Sequence, residues 1–304
     1  MELLKFAAID IGTNAVRLLF TNVIEDEEHA SFKKNSLIRV PIRLGEDVFN
    51  GGIIRPAKTN QLIDAMKAFR HLMNIHKVER YRACATSAMR EAENGQKVVE
   101  MVQEKAGITI EIIDGATEAE IIYENKIAEI ISDEKTYLYV DIGGGSTEIT
   151  LFQGGVPIRS HSFNIGTIRL LNKQVAKEEK NYMKHWLHQL AEEHPNITVI
   201  GSGGNINKIF KLSRYKEEEV IPYKVIKNLY KHIKSHSYEE RIKDLGMNPD
   251  RADVIIPASK LFLKIMKWAD TREAIIPKIG IADGIVRQLY TDYKKERERA
   301  IPTL

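Results

Sequence analysis

The sequence predicts an α/β protein built as two similar lobes, each a mixed sheet with helices. Three observations carry that expectation. The phrase Asp10-Ile11-Gly12-Thr13-Asn14 follows an apolar, β-rich run. Asp141-Ile142-Gly143-Gly144-Gly145-Ser146-Thr147-Glu148 follows another, 131 positions later. Around each phrase the elements read in the same order, β-β-β-α-β-α. Finally, 304 residues are long for one core and comfortable for two.

Residues 3–10 and 16–24 read as strands because they are apolar and rich in β-formers. Residues 31–44 read as a third extended stretch. Leu62, Ala65, Met66, Phe69, Leu72 and Met73 then share one face at helical spacing, so 57–76 reads as a helix. Residues 81–85 and 109–113 read as strands. Between them, 96–106 reads as a helix that Gly107 is placed to end. A helix over 118–131 takes Thr117 as its N-cap.

The order restarts with strands at 136–140 and 146–152. Gly154-Gly155 signals a hairpin into 156–163. A helix over 178–193 and a strand over 197–200 follow. Gly201-Ser202-Gly203-Gly204-Asn205 then opens a helix near 206. Residues 249–268 read as one long helix kinked at Pro257. A short strand at 274–276 and a helix over 281–298 close the chain. The restart sets the expected boundaries: lobe I is 1–116, rejoined by a C-terminal helix over 286–304, and lobe II is 117–285.

Composition narrows the function classes. With 45 basic and 42 acidic residues, the net charge of +3 does not argue for a nucleic-acid protein. No apolar run approaches the roughly 20 residues of a membrane span. The start, Met1-Glu2-Leu3-Leu4-Lys5, has no signal-peptide pattern. Cys84 is the only cysteine, which excludes an intrachain disulfide and a cysteine-based zinc site and fits the cytoplasm. Lys33, Lys34, Arg39, Arg43, Arg55 and Lys58 stand against only Glu46 and Asp47 over residues 33–58. That stretch reads either as a surface for an extended polyanion or as a solvated face.

The glycine turns carry the chemistry. Neither a G-x-x-x-x-G-K-[ST] loop nor a strand-to-helix G-x-G-x-x-G is present, so P-loop and dinucleotide folds are not indicated. Here the turns join strand to strand. Glycine lets backbone N–H groups close on an anion without a Cβ in the way. Gly12, Thr13 and Asn14 in one turn, and Gly143, Gly144, Gly145 and Ser146 in the other, are the expected phosphate cradle. Two such turns facing each other make a clamp for a phosphoryl group. Gly203 and Gly204 either make a tight β-α connection or add a helix N-terminus suited to an anion. Asp10, Asp141 and Glu148 offer hard oxygen ligands for Mg²⁺. The phrase Ala85-Thr86-Ser87-Ala88-Met89-Arg90-Glu91 reads either as an N-capped turn or as a phosphate contact in which Arg90 supplies a planar fork. Glu118, in the first turn of its helix, is placed either to suit the helix dipole or to orient a water.

These phrases, with the stretch from Gly115 to Glu118 and with Arg251-Ala252-Asp253, resemble the exopolyphosphatase / guanosine pentaphosphate phosphatase (Ppx/GppA) family. The motifs cover nearly the whole chain in the family's order. The resemblance implies the ribonuclease-H-like fold of the actin / sugar kinase / Hsp70 superfamily, with two lobes and an interlobe cleft. It implies a Mg²⁺-dependent phosphohydrolase that removes the terminal phosphate from inorganic polyphosphate or guanosine pentaphosphate. By the same resemblance Glu118 is the catalytic base, and Asp141 and Glu148 serve metal and water. Gly143, Gly145, Ser146 and Arg90 bind phosphate. A homodimer is common in that family, and neither nucleic acid nor a membrane is an expected partner.

Two departures stand out. Thr117-Glu118-Ala119-Glu120 replaces the family's usual Glu-Glu-Ala-Arg, and Gly280-Ile281-Ala282-Asp283-Gly284 lacks an arginine usual there. They keep two alternatives open: a guanosine polyphosphate-binding module with little hydrolysis, and a kinase or ATPase of the same superfamily.

Overall fold

The computed structural model describes residues 2–26, 29–123, 130–132, 134–216, 219–278 and 280–300. Contacts divide the chain into two units. Unit 1 is Met1–Lys126 with Gly280–Leu304, and unit 2 is Ile127–Ile279.

In unit 1, β1 (Glu2–Ile11) and β2 (Val16–Glu25) pair antiparallel in unbroken register. β3 (Ala30–Val40) joins the outer side of β2. Helices α1 (Leu44–Gly51) and α2 (Pro56–His76) lead to β4 (Arg80–Ala85), which is parallel to β1. Then come α3 (Ser87–Glu91), α4 (Gly95–Ala106), β5 (Glu111–Ile112) and α5 (Gly115–Tyr123). The sheet order is β3-β2-β1-β4-β5.

The period-two alternation of β1 serves two cores. Ala7, Ile9 and Ile11 pack with Leu62, Met66 and Phe69 of α2 and Val98 and Val102 of α4. Leu4, Phe6 and Ala8 pack with Ile121 of α5 and with Ile281, Ile285 and Val286 of the last helix, Ile281–Ala300.

Unit 2 repeats the plan. β6 (Tyr137–Ile142), β7 (Thr147–Gln153) and β8 (Val156–Phe163) form an antiparallel meander. Gly154 and Gly155, with φ of 59° and 74°, make the β7–β8 turn, as a two-residue hairpin of type I′ requires. Helices α6 (Thr167–Leu171) and α7 (Lys177–Glu193) precede β9 (Thr198–Ser202), parallel to β6. After α8 (Gly204–Ser213) come β10 (Ile221–Pro222), α9 (Tyr223–Ser235), α10 (Tyr238–Lys243), α11 (Pro249–Ala252), α12 (Ile255–Trp268) and β11 (Glu273–Ile275). The order is β10-β11-β9-β6-β7-β8. From meander to parallel strands, the two sheets match strand for strand.

Several local expectations change. The third strand ends at Val40, and Arg43, with φ 57°, turns the chain into α1. α5 is capped by Asp114 and not by Thr117: the Thr117 N–H donates to Asp114 Oδ1 at 2.7 Å. The helix expected over 118–131 runs from Gly115 to Tyr123, and residues 124–129 lie outside those described. The helix expected over 249–268 is two helices. Pro257 lies in the first turn of α12, where its missing N–H has no intrahelical partner to lose. Of the final helix, 301–304 lie outside the described residues. No helix among the described residues is long and apolar enough to cross a membrane.

The basic stretch at 33–58 is largely paired with acids. Lys34 meets Asp283 at 2.7 Å and Arg43 meets Glu46 at 2.6 Å. Lys58 reaches Glu46 at 2.9 Å, and Arg55 holds Asp47 at 2.5 Å. Burial raises the Asp47 carboxyl, but hydrogen bonds from Arg55 and the charge of Lys58 outweigh it and bring the group below its ordinary 3.8.

A lowered carboxyl stabilises the fold above its unfolded value, and the gain disappears as pH falls through the folded value. Asp47→Asn is therefore expected to cost about 1–3 kcal/mol at pH 7. In urea melts, the gap to wild type should narrow below about pH 4. A gap constant from pH 7 to pH 3 contradicts this.

Candidate functional site

The Gly143–Ser146 turn of unit 2 is closed by the Gly143 N–H, which donates to Ser146 O at 3.0 Å. Its carbonyls are then taken from outside. Thr167 N–H donates to Gly143 O at 3.0 Å and Ile168 N–H to Gly144 O at 2.8 Å. Arg169 Nε donates to Gly145 O at 2.7 Å. With its acceptors occupied, the turn is left with the N–H groups of Gly144, Gly145 and Ser146, which meet no backbone partner among the described residues. Such a run of donors is an anion-binding concavity. Gly166 is what brings the pinning segment so close: a Cβ there would overlap the Gly144 carbonyl.

Beside the turn, cross-strand pairing puts Asp141 opposite Glu148 on β7 and opposite Ser202 on β9. Directly paired residues point to one face, so three oxygen-bearing side chains stand in a row. Glu148 is 3% exposed, and Ser162 Oγ donates to its Oε1 at 3.0 Å. Gly203, with φ 99°, leads into α8. A Cβ there would sit 2.8 Å from Asp141 Oδ1, so glycine is what leaves room for the carboxylate. Gly204 opens α8, whose N-terminal N–H groups carry partial positive charge.

Unit 1 builds its turn by the same device. Gly12 N–H donates to Ala15 O at 3.1 Å. Gly45 N–H and Arg43 N–H donate to the carbonyls of Thr13 and Asn14, both at 3.0 Å. A Cβ on Gly45 would overlap Thr13 Cγ2. Thr13 Oγ1 and Ser87 Oγ lie 2.8 Å apart, which ties the turn to α3, and both residues are buried. The expected donors Gly12 and Gly143 thus spend their own N–H groups closing the turns.

The sheets differ at the carboxylates. Asp10 faces Arg17 across β1 and β2, at 2.5 Å. In unit 2 the corresponding pair is Asp141 and Glu148. Asp10 therefore already has a cation at the carboxylate, whereas unit 2 gathers two acids. Among the described residues, no group of three or more His, Cys, Asp or Glu is arranged to hold a metal ion.

Glu118 lies in the first turn of α5 and is 8% exposed. Its N–H donates to Asp114 O at 3.0 Å. Arg90 Nη1 donates to Ile113 O at 2.7 Å, which brings that guanidinium to the start of α5. Its charge and the Thr117 N–H hold the Asp114 carboxyl below the ordinary range, the hydrogen bond being the larger cause. Cys84 is buried beside Asp10, and burial pushes its thiol up to about 12, as for an inert structural cysteine.

The sequence reading missed Arg17, Gly45 and the segment Gly166–Arg169. A signal was present for each. Arg17 follows Asp10 by seven residues, as Glu148 follows Asp141. Gly45 and Gly166 each follow the third strand of their half.

Residues 23–292 match the Ppx/GppA phosphatase family. Exopolyphosphatase 2 of Mycobacterium tuberculosis is 27% identical over 95% of this chain and 99% of its own. The bifunctional 3-dehydroquinate synthase/phosphatase of Fusobacterium nucleatum is 30% identical over 86% of this chain, which spans 43% of that protein. The guanosine-5'-triphosphate,3'-diphosphate pyrophosphatase of Aliivibrio fischeri is 23% identical, and the chain spans 58% of it. The solved structure of the Aquifex aeolicus Ppx/GppA family member superimposes with a TM-score of 0.76 and 26% identity, covering 96% of this chain and 99% of the other. The architecture is accordingly that of two mixed-sheet lobes of the actin-like ATPase class.

Gly203→Ala is expected to destabilise the protein by about 1–3 kcal/mol, from the positive φ and the contact with Asp141 together. Gly51→Ala, where a Cβ meets nothing within 4 Å, should stay within about 0.5 kcal/mol of wild type. Thermal unfolding of the two variants checks the contrast, and equal midpoints count against the crowding.

Proposed function

The chain belongs to the Ppx/GppA phosphatase family, and on that premise we propose that it releases inorganic phosphate from the end of a polyphosphate chain or from guanosine pentaphosphate. The observation that carries the reading is the carbonyl-pinned turn at 143–146, which presents donors beside the Asp141 carboxylate. Oxygens of a terminal phosphate suit the N–H groups of Gly144, Gly145 and Ser146, with Arg90, Thr13 and the start of α8 as further phosphate contacts. Glu118 accepts a proton from water as the water oxygen bonds to the terminal phosphorus. The bond from that phosphorus to the bridging oxygen breaks, and the shortened anion leaves with the bridging oxygen. Catalysis of this kind rests on positioning and charge stabilisation.

Asp141, Glu148 and Ser202 offer oxygen donors without nitrogen or sulfur, and Gly203 leaves space at Asp141. That set fits Mg²⁺, which takes one or two protein carboxylates and completes its shell with water and phosphate oxygens. Held by Asp141 and Glu148, Mg²⁺ would offset charge on the terminal phosphate. Asp10, engaged by Arg17, is left out of this assignment. A cytosolic location and a homodimer belong to the same proposal, and cell fractionation and light scattering test them.

Glu118→Gln is expected to lower kcat by at least about 100-fold with KM little changed, measured by phosphate release with Mg²⁺ present. Glu120→Gln, on an exposed residue, should keep near wild-type turnover. Full turnover in Glu118→Gln removes the base from the scheme. Running both substrates side by side decides between them, and tight binding without phosphate release supports the binding-module alternative.

A further inference from the structure

The carbonyl of Gly145 and the N–H of Ser146 belong to one peptide, and a trans peptide points the two in opposite directions. Whatever holds the oxygen therefore aims the N–H. The same link joins Gly144 O to Gly145 N–H and Gly143 O to Gly144 N–H. Two of these three oxygens take backbone donors, from Ile168 N–H at 2.8 Å and Thr167 N–H at 3.0 Å. The third, Gly145 O, takes a side chain, Arg169 Nε at 2.7 Å. In unit 1 the matching oxygen, that of Asn14, takes the backbone N–H of Arg43 at 3.0 Å. Unit 2 thus places a guanidinium where unit 1 places a backbone amide.

The backbone that carries Arg169 is anchored on both sides. Thr147 Oγ1 donates to Ile165 O, and Asn164 N–H donates to Glu179 Oε1 on α7 at 2.8 Å. Leu170 N–H donates to Gly166 O at 2.9 Å and Gln174 N–H to Arg169 O at 2.8 Å. The half-buried Arg169 side chain therefore reaches the turn from a set origin. The peptide it holds has freedom to lose. Glycine at 145 admits both signs of φ, so the Gly145–Ser146 peptide gains other orientations once its oxygen is released. Linked hydrogen bonds also polarise one another, and those from a charged donor are roughly twice as strong as neutral ones. A guanidinium on the oxygen makes the Ser146 N–H a more positive donor. Donors fixed before reaction stabilise transition-state charge without reorganising.

We infer that Arg169 is a positioning residue for phosphate release: through the Gly145–Ser146 peptide it aims and strengthens the N–H that meets the terminal phosphate. This rests on the phosphohydrolase reading and adds to it a side chain that acts through the turn.

Glutamine carries its amide nitrogen at the chain position of arginine Nε, so Arg169→Gln keeps a donor and drops the charge. Arg169→Met drops both. kcat is expected to fall at least about tenfold in Arg169→Met and by a smaller factor in Arg169→Gln, with KM within about threefold of wild type in each. Arginine stays charged across the working range, so kcat should fall evenly with pH and its profile keep its shape. Circular dichroism and thermal melts fix the folded fraction to which each kcat is referred. In Arg169→Ala, added methylguanidinium is expected to restore part of kcat, and urea at the same concentration is not. A second measurement needs no turnover. In amide proton–nitrogen correlation spectra, the Ser146 proton should move upfield in Arg169→Gln and further in Arg169→Met, with Gly144 changing less. Wild type that releases no phosphate is the failure of the underlying reading, and the Ser146 shift still tests the positioning. A kcat in folded Arg169→Met within about twofold of wild type overturns the inference. So does a Ser146 resonance that stays in place, or rescue by urea equal to that by methylguanidinium.

Discussion

The arrangement that the rest of the molecule depends on is a glycine turn whose carbonyl oxygens are all bonded from behind. A peptide has one donor and one acceptor, and a tight turn exposes both. Left alone, such a turn shows an anion as much negative oxygen as positive N–H. When Thr167, Ile168 and Arg169 take the oxygens of Gly143, Gly144 and Gly145, the remaining surface has one sign. The requirement reaches outward. The pinning segment must approach to peptide-on-peptide distance, so Gly166 has no room for a side chain. The third strand must end there so that a short helix can begin. Unit 1 meets the same demand with Gly45 and α1.

Where the two units diverge, the difference is chemical and not architectural. The strand order, the meander and the pinned turn repeat. The residue seven positions after the strand-end aspartate does not. Arginine in one unit and glutamate in the other give the paired rows opposite character, one an ion pair and one a double carboxylate. One scaffold, built twice, thus presents a neutralised turn and an acidic turn.

Much of this was legible in the residues. The duplicated Asp-x-Gly phrase gave both turns, and apolar periodicity gave the strands and α2. Gly107 does end α4, with φ 63°. What escaped notice depended on distance in space. Asp114 outcompeted Thr117 as a cap because its carboxylate reaches the Thr117 N–H. Pro257 did not kink a helix because a new helix begins two residues before it. The lysines and arginines at 33–58 read either as a surface for a polyanion or as a solvated face, yet Asp283, far along the chain, meets Lys34. Gly166 drew no reading, since nothing local shows that a carbonyl twenty-two residues upstream needs its space.

The last helix bears on how the protein comes off the ribosome. One face of β1, through Leu4, Phe6 and Ala8, is covered by Ile281, Ile285 and Val286. Those residues are synthesised only after all of 127–279. The nascent N-terminal sheet therefore waits with that apolar face uncovered while 127–279, a continuous stretch with its own core, emerges whole. The usual vectorial sequence, in which the earliest-made part settles first, is inverted: the inserted half is able to mature before the half that began it.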